Sequence, residues 1–86
     1  MGMIRRLDTR HIERHARNAI TGRLRYRAPQ AVRKVERDGT AVIVRLNSGG
    51  NALAVEAWLR QRGYRAEYAG GNPDGYGCAV RVQASD

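Results

Sequence analysis

Arginine carries most of the chemistry available to this chain, with fifteen arginines and one lysine among its 86 residues. Arg10, Arg14 and Arg17 recur at intervals of four and three, Arg23, Arg25 and Arg27 alternate, and Arg33 and Lys34 follow closely. A guanidinium fork donates two parallel hydrogen bonds to a phosphate or carboxylate and keeps its charge near neutral pH. Residues 1–37 hold eleven basic residues against three acids, whereas residues 38–86 hold five of each, so the whole net charge of +8 lies in the N-terminal part. Like charges gathered in this way repel one another and weaken a compact state. A directed binding surface for an anionic partner therefore explains them better than a solubility patch.

The partner expected first is nucleic acid, DNA or RNA, contacted through its phosphate backbone by Arg6, Arg10, Arg14, Arg17, Arg23, Arg25, Arg27, Arg33 and Lys34. Alternate residues of a strand recur about every 6.6–6.8 Å, close to two steps of the roughly 3.4 Å rise per phosphate along one strand of a duplex. Few side chains in this segment suit base edges. Asn18 falls on the flank of the basic helix and Gln30 follows Pro29 in a turn, so little base specificity is expected. Tyr26 can stack an unpaired base, although its alternation with Leu24 and Ala28 favours a place in the core. The alternative partner is an acidic or nucleic-acid-binding protein docked by a small regulator or inhibitor, since the same arginines serve carboxylates.

Other chemistry-bearing residues are sparse. His11 and His15 lie four apart on one helix flank, a spacing that can share a metal, but two ligands are too few and no Glu follows His11 as in a zinc-protease helix. As an acid–base pair they make a small ribonuclease the minor enzymatic reading. Asn47-Ser48-Gly49-Gly50-Asn51 enters a helix, where free N–H groups favour anions. It lacks the Lys-Ser/Thr ending of a nucleoside-triphosphate loop and the spacing of a dinucleotide fingerprint, so capping of a tight turn is the expected role. Cys78 alternates with Val80 and Val82 and reads as a structural thiol; as the single cysteine it has no intramolecular disulfide partner. No cofactor, metal site or catalytic residue is expected.

These residues must be positioned by few elements, because 86 residues allow one domain with a modest core. Asp8 and Thr9 can cap a helix over about 9–21, with Gly22 suited to its left-handed end. On that helix Ile12, Ala16, Ala19 and Ile20 form an apolar stripe, and Arg10, Arg14 and Arg17 lie opposite it. Residues 23–28 alternate as a short edge strand or an extended arm, limited by Pro29. The stretch 31–46 reads as a hairpin turning at Asp38-Gly39, its second strand central and its first nearer an edge. A helix over about 51–62, apolar round most of its circumference and stopped by Gly63, packs into the core, with Glu56 and Arg60 as an i,i+4 pair. A second hairpin follows, with Tyr64, Ala66 and Tyr68 alternating before a turn-rich 70–75 and Cys78, Val80 and Val82 after it.

The order predicts an α+β domain: a basic helix and arm over 1–30, a ββαββ core over 31–83, and a largely antiparallel sheet with helices on one face. Over 41–82 it resembles half of a ferredoxin-like or ligand-binding regulatory domain, in topology alone, and such a likeness carries no function. Met1 to Arg6 lacks the apolar run of a secretory signal, and no stretch approaches the about 20 apolar residues of a membrane span. The short Ile and Ala stripe of the first helix also lacks the large side chains that anchor a helix at a bilayer surface. A reducing, cytoplasmic setting is expected.

Overall fold

The computed structural model describes residues 7–24 and 30–84. Helix α1 spans Thr9–Leu24, strands β1 and β2 span Val32–Asp38 and Ala41–Leu46, helix α2 spans Gly49–Gln61, and strands β3 and β4 span Arg65–Gly71 and Cys78–Gln83. The sheet runs β1-β2-β4-β3 with every pairing antiparallel, and both helices pack on one face, so the chain is α+β. Because β2 and β3 both run antiparallel to the intervening β4, they are parallel to each other. Joined by α2, they form a split βαβ unit, which is the part of the ferredoxin-like likeness that the structure contains. In topology the two helix–hairpin units, α1-β1-β2 and α2-β3-β4, exchange about a two-fold between the central strands.

Helix α1 starts at the expected cap. The Asp8 carboxylate accepts the Arg10 backbone N–H at 2.9 Å, while its carbonyl accepts the Ile12 N–H at 3.1 Å. Its end differs from expectation. Gly22 does not stop the helix, which continues to Leu24 with its end packed beside α2. A Cβ built on Gly22 meets Trp58 Cζ3 at 3.7 Å, and one residue later Arg23 donates to Asn51 Oδ1 at 2.6 Å. The strand expected over 23–28 is corrected at its start: Arg23 and Leu24 are helical, since docking against α2 outweighs a short alternating pattern. The rest of that segment, with Arg25, Tyr26 and Arg27, lies outside the described residues, as does Arg6.

Ile12, Ala16 and Ile20 of α1 share one core with Val42, Val44 and Leu46 of β2, Val55 and Leu59 of α2, and Val80 and Val82 of β4. Full burial of an isoleucine is worth roughly 1.5–3 kcal/mol, so the basic helix is anchored rather than appended. The first hairpin turns one residue later than expected: Asp38 pairs with Ala41, leaving Gly39-Thr40 at the tip, where Gly39 takes φ +63°. Strand β1 is an edge and β2 is central, as the contrast in their charge implies.

Helix α2 starts at Gly49, two residues before its expected start. Ser48 Oγ accepts the Asn51 N–H at 3.1 Å, and Asn51 Nδ2 donates to Asn47 Oδ1 at 2.8 Å, so the Gly-rich turn works as a cap. Its polar strip covers the free edge of β3, where Glu56 accepts the Tyr68 N–H at 2.6 Å and Arg60 Nε donates to the Ala66 carbonyl at 2.7 Å. An exposed edge strand invites pairing with another chain, and these two side chains occupy its backbone groups.

The β3–β4 loop over 72–77 is organised by buried Asn72. Its Nδ2 donates to the Leu46 and Tyr76 carbonyls at 3.1 and 2.9 Å, and its Oδ1 accepts Arg45 Nη1 at 3.1 Å.

Candidate functional site

The two faces of the molecule carry different charge. On the helices, Arg10, Arg14, Arg17, Arg23, Arg60 and Arg62 stand against Glu13 and Glu56. On the face of the sheet away from the helices, and on the loop beside it, Arg33, Lys34, Arg45, Arg65 and Arg81 stand against Glu36, Asp38, Glu67 and Asp74. The excess of positive charge among the described residues therefore lies on the helical layer.

The basic residues proposed from sequence fall into two groups. Arg10, Arg14 and Arg17 project from the outward side of α1, set there by the burial of Ile12, Ala16, Ala19 and Ile20 on the other side. Arg17 pairs with Glu13 at 3.1 Å, while neither Arg10 nor Arg14 meets a carboxylate among the described residues. They are one turn apart, about 6 Å along the axis. Arg23 is turned toward the α2 N-terminus through Asn51.

Arg33 and Lys34 lie elsewhere. The register that pairs Lys34 with Arg45 places both on the open sheet face, where Lys34 and Arg45 both hold Glu36, at 3.2 and 3.3 Å. Hydrogen bonds from both keep the Glu36 carboxyl below its usual range. Arg33 grips Asp74 with two bonds of 2.5 and 3.1 Å, donates to the Tyr76 carbonyl at 2.6 Å and stacks on the Tyr76 ring at 4.8 Å. The Asp74 carboxyl is held down to about 2, first by Arg33 and then by the Tyr76 N–H. These residues line a shallow cleft of about 310 Å³ whose three cations and two carboxylates nearly cancel. The chemistry here is internal cross-linking of sheet and loop.

A second cluster lies at the seam between the helices, beside Arg14. The His11 and His15 rings meet edge to face at 4.8 Å between centroids, and Tyr64 stands 5.6 Å from His15 on another side. Trp58 Nε1–H donates to His15 Nδ1 at 3.2 Å. Because an indole nitrogen only donates, the His15 Nδ1 presents a lone pair and its one proton sits on Nε2. Burial, reinforced by His11, Arg62 and Arg14, lowers the His15 pKa and so favours this neutral form. His15 thus offers a donor and no free lone pair. The Arg62 guanidinium lies over the Trp58 ring with its carbon 3.4 Å from the centroid, and Nη1 donates to the Trp58 carbonyl at 3.1 Å.

Sequence reasoning assigned Trp58 to the core and Tyr64 to the second hairpin, whose strand begins only at Arg65, and gave Arg62 no role. The available signal was the i,i+4 spacing of Trp58 and Arg62 on one helix. No comparable spacing links His15 to Trp58 or Tyr64, which the fold alone brings together. Cys78 is half-buried and accepts the Tyr68 hydroxyl at 3.0 Å, which raises the tyrosine pKa. Among the described residues no three His, Cys, Asp or Glu side chains converge on a metal position, and no helix is long and apolar enough to cross a membrane.

No family model, no curated protein and no solved structure matches the chain.

Proposed function

We propose that this chain is a small nucleic-acid-binding module that lays the outward side of α1 along a phosphate backbone, with little base specificity. The observation that carries the proposal is the uneven pairing of its cations. Arg10 and Arg14 are exposed on α1 without a carboxylate among the described residues, whereas four of the five cations on the other side, Arg33, Lys34, Arg45 and Arg81 but not Arg65, are each held by an acid. A guanidinium already gripped by a carboxylate must give up that partner to bind phosphate, while an unpaired one only exchanges water and counterions. The interface therefore centres on Arg10 and Arg14, with Arg17, held by Glu13, contributing less. Arg33 and Lys34 contribute little.

The test is the salt dependence of binding to short oligonucleotides. Each phosphate neutralised adds about 0.9 (duplex) or 0.7 (single strand) to the slope of log K against log salt. Replacing Arg10 and Arg14 together by Ala should lower that slope by about 1.4–1.8, and replacing Arg33 and Lys34 together should leave it unchanged. No binding at low salt, or equal losses from both double variants, refutes the proposal. A protein partner that survives nuclease digestion in a pull-down while oligonucleotides fail to bind favours recognition of an acidic protein instead.

A further inference from the structure

The seam between α1 and α2 combines features that a purely electrostatic contact does not need. Trp58 is half-buried, fixed at its Nε1 by His15, and overlain by exposed Arg62 at stacking distance. The guanidinium is planar, so one side rests on the indole and the other faces solvent. His11 is exposed next to it in the row of rings, and Arg14 adjoins His15 on the same helix. Flat π-faces bordered by cations are what unpaired bases stack on, and such stacking tolerates any base because every base has a π-face. A duplex hides those faces within its own stack.

Cleavage is the competing use of two adjacent histidines. It is disfavoured here because the His15 lone pair is spent on Trp58, leaving that ring a donor rather than a base. The orientation imposed by that bond instead keeps the seam rigid before any ligand arrives.

We propose that this seam is a stacking site for an unpaired base of single-stranded nucleic acid, the base lying on the outer side of the Arg62–Trp58 pair while Arg14 meets the adjoining phosphate. The proposal rests on the phosphate-binding reading of α1 and adds a preference for single strands. Trp58 is the one tryptophan of the chain, so its emission reports this site directly.

The experiment titrates the full chain with a twelve-nucleotide oligodeoxythymidylate, a twelve-nucleotide oligouridylate and a twelve-base-pair DNA duplex at equal salt. Either single strand, DNA or RNA, should quench Trp58 and bind at least about fivefold tighter than the duplex, the least that one stacked base is worth, while the duplex leaves the emission unchanged. Trp58→Leu combined with Arg62→Lys keeps the charge and removes both flat faces, the guanidinium and the indole beneath it, so with binding followed by the anisotropy of a labelled strand it should erase the single-strand preference without changing the salt slope. Circular dichroism verifies that its fold is retained. If single strand and duplex bind alike with Trp58 silent, or if the double variant keeps the preference, the stacking site is refuted and the phosphate contact stands. If nothing binds at low salt, both readings fall together.

Discussion

Two glycines of the β3–β4 loop share a backbone conformation and differ in their surroundings, which makes them a quantitative test of how that loop is locked to the sheet. Gly75 has φ +78° and Gly77 φ +74°, both in the left-handed region. A side chain in that conformation costs about 1–2 kcal/mol. A Cβ on Gly75 meets nothing within 4 Å, so Gly75→Ala should cost only that. On Gly77 the same atom would stand 2.0 Å from the Leu46 carbonyl oxygen and 2.9 Å from Asn47 Cα. Relief to an ordinary contact moves the loop and the end of β2 apart by more than 1 Å, given that real Cβ atoms essentially never approach closer than 3.0 Å. That shift breaks the bonds across the junction, from Asn72 Nδ2 to the Leu46 carbonyl and from Arg45 Nη1 to Asn72 Oδ1. Each polar group left buried and unpaired adds about 1–3 kcal/mol. Gly77→Ala should therefore cost about 3–8 kcal/mol in all, a large part of the roughly 4–13 kcal/mol available to a chain of this length. Urea unfolding followed by Trp58 emission and circular dichroism measures both variants. Because Arg10 and Arg14 lie on the far side of the molecule, any folded fraction of Gly77→Ala should bind oligonucleotides with the parent salt slope. Equal stability losses for the two alanine variants would refute the account of the loop.

Two further predictions concern the helical layer. Protonating His15 turns the acceptor of the Trp58 bond into a donor and places a cation beside His11, Arg14 and Arg62; the folded-state pKa is lowered, so the unfolded chain takes up this proton first. The stability it contributes is complete above about pH 6.5, its ordinary value, and is lost as the pH falls from there through the lowered folded value, so the urea midpoint should drop between pH 7.5 and 5, and His15→Gln should flatten that drop; an unchanged profile rejects the linkage. Ile12→Ala empties a site that is 1% exposed in the shared core and should cost about 2–5 kcal/mol in a single cooperative transition, whereas a loss well under 1 kcal/mol would mean that α1 is an appended arm.

The elements were legible where burial and local preference agree. The apolar stripe of α1 lies opposite its arginines because 3.6-residue periodicity places it there, and the sheet needs just such a stripe. The β-branched run of β2 reads as central because both its sides are covered. Misreadings arose where a residue's local preference yields to a distant contact. Gly22 carries a stop signal, but the helix continues to Leu24, where Arg23 bonds Asn51 of α2. The Gly-rich turn before α2, by contrast, is the cap its Ser48 suggests, accepting the Asn51 N–H.

By itself the sequence determined that a basic amphipathic helix precedes two hairpins and a core helix, because periodicity, caps and turns are local physics. It also determined that the excess charge is N-terminal, which is a matter of counting. Only the tertiary structure decided which of those charges remain unpaired. Strand register sends Lys34 to the face away from the helices and the packing of a loop 41 residues distant supplies Asp74 to Arg33, while Arg10 and Arg14 on α1 meet no carboxylate among the described residues. The same packing assembled the row of His11, His15, Tyr64 and Trp58 under Arg62 from two helices and the residue that follows them. Pairing of charges and stacking of rings depend on distances across the chain, and those exist only once the core has closed.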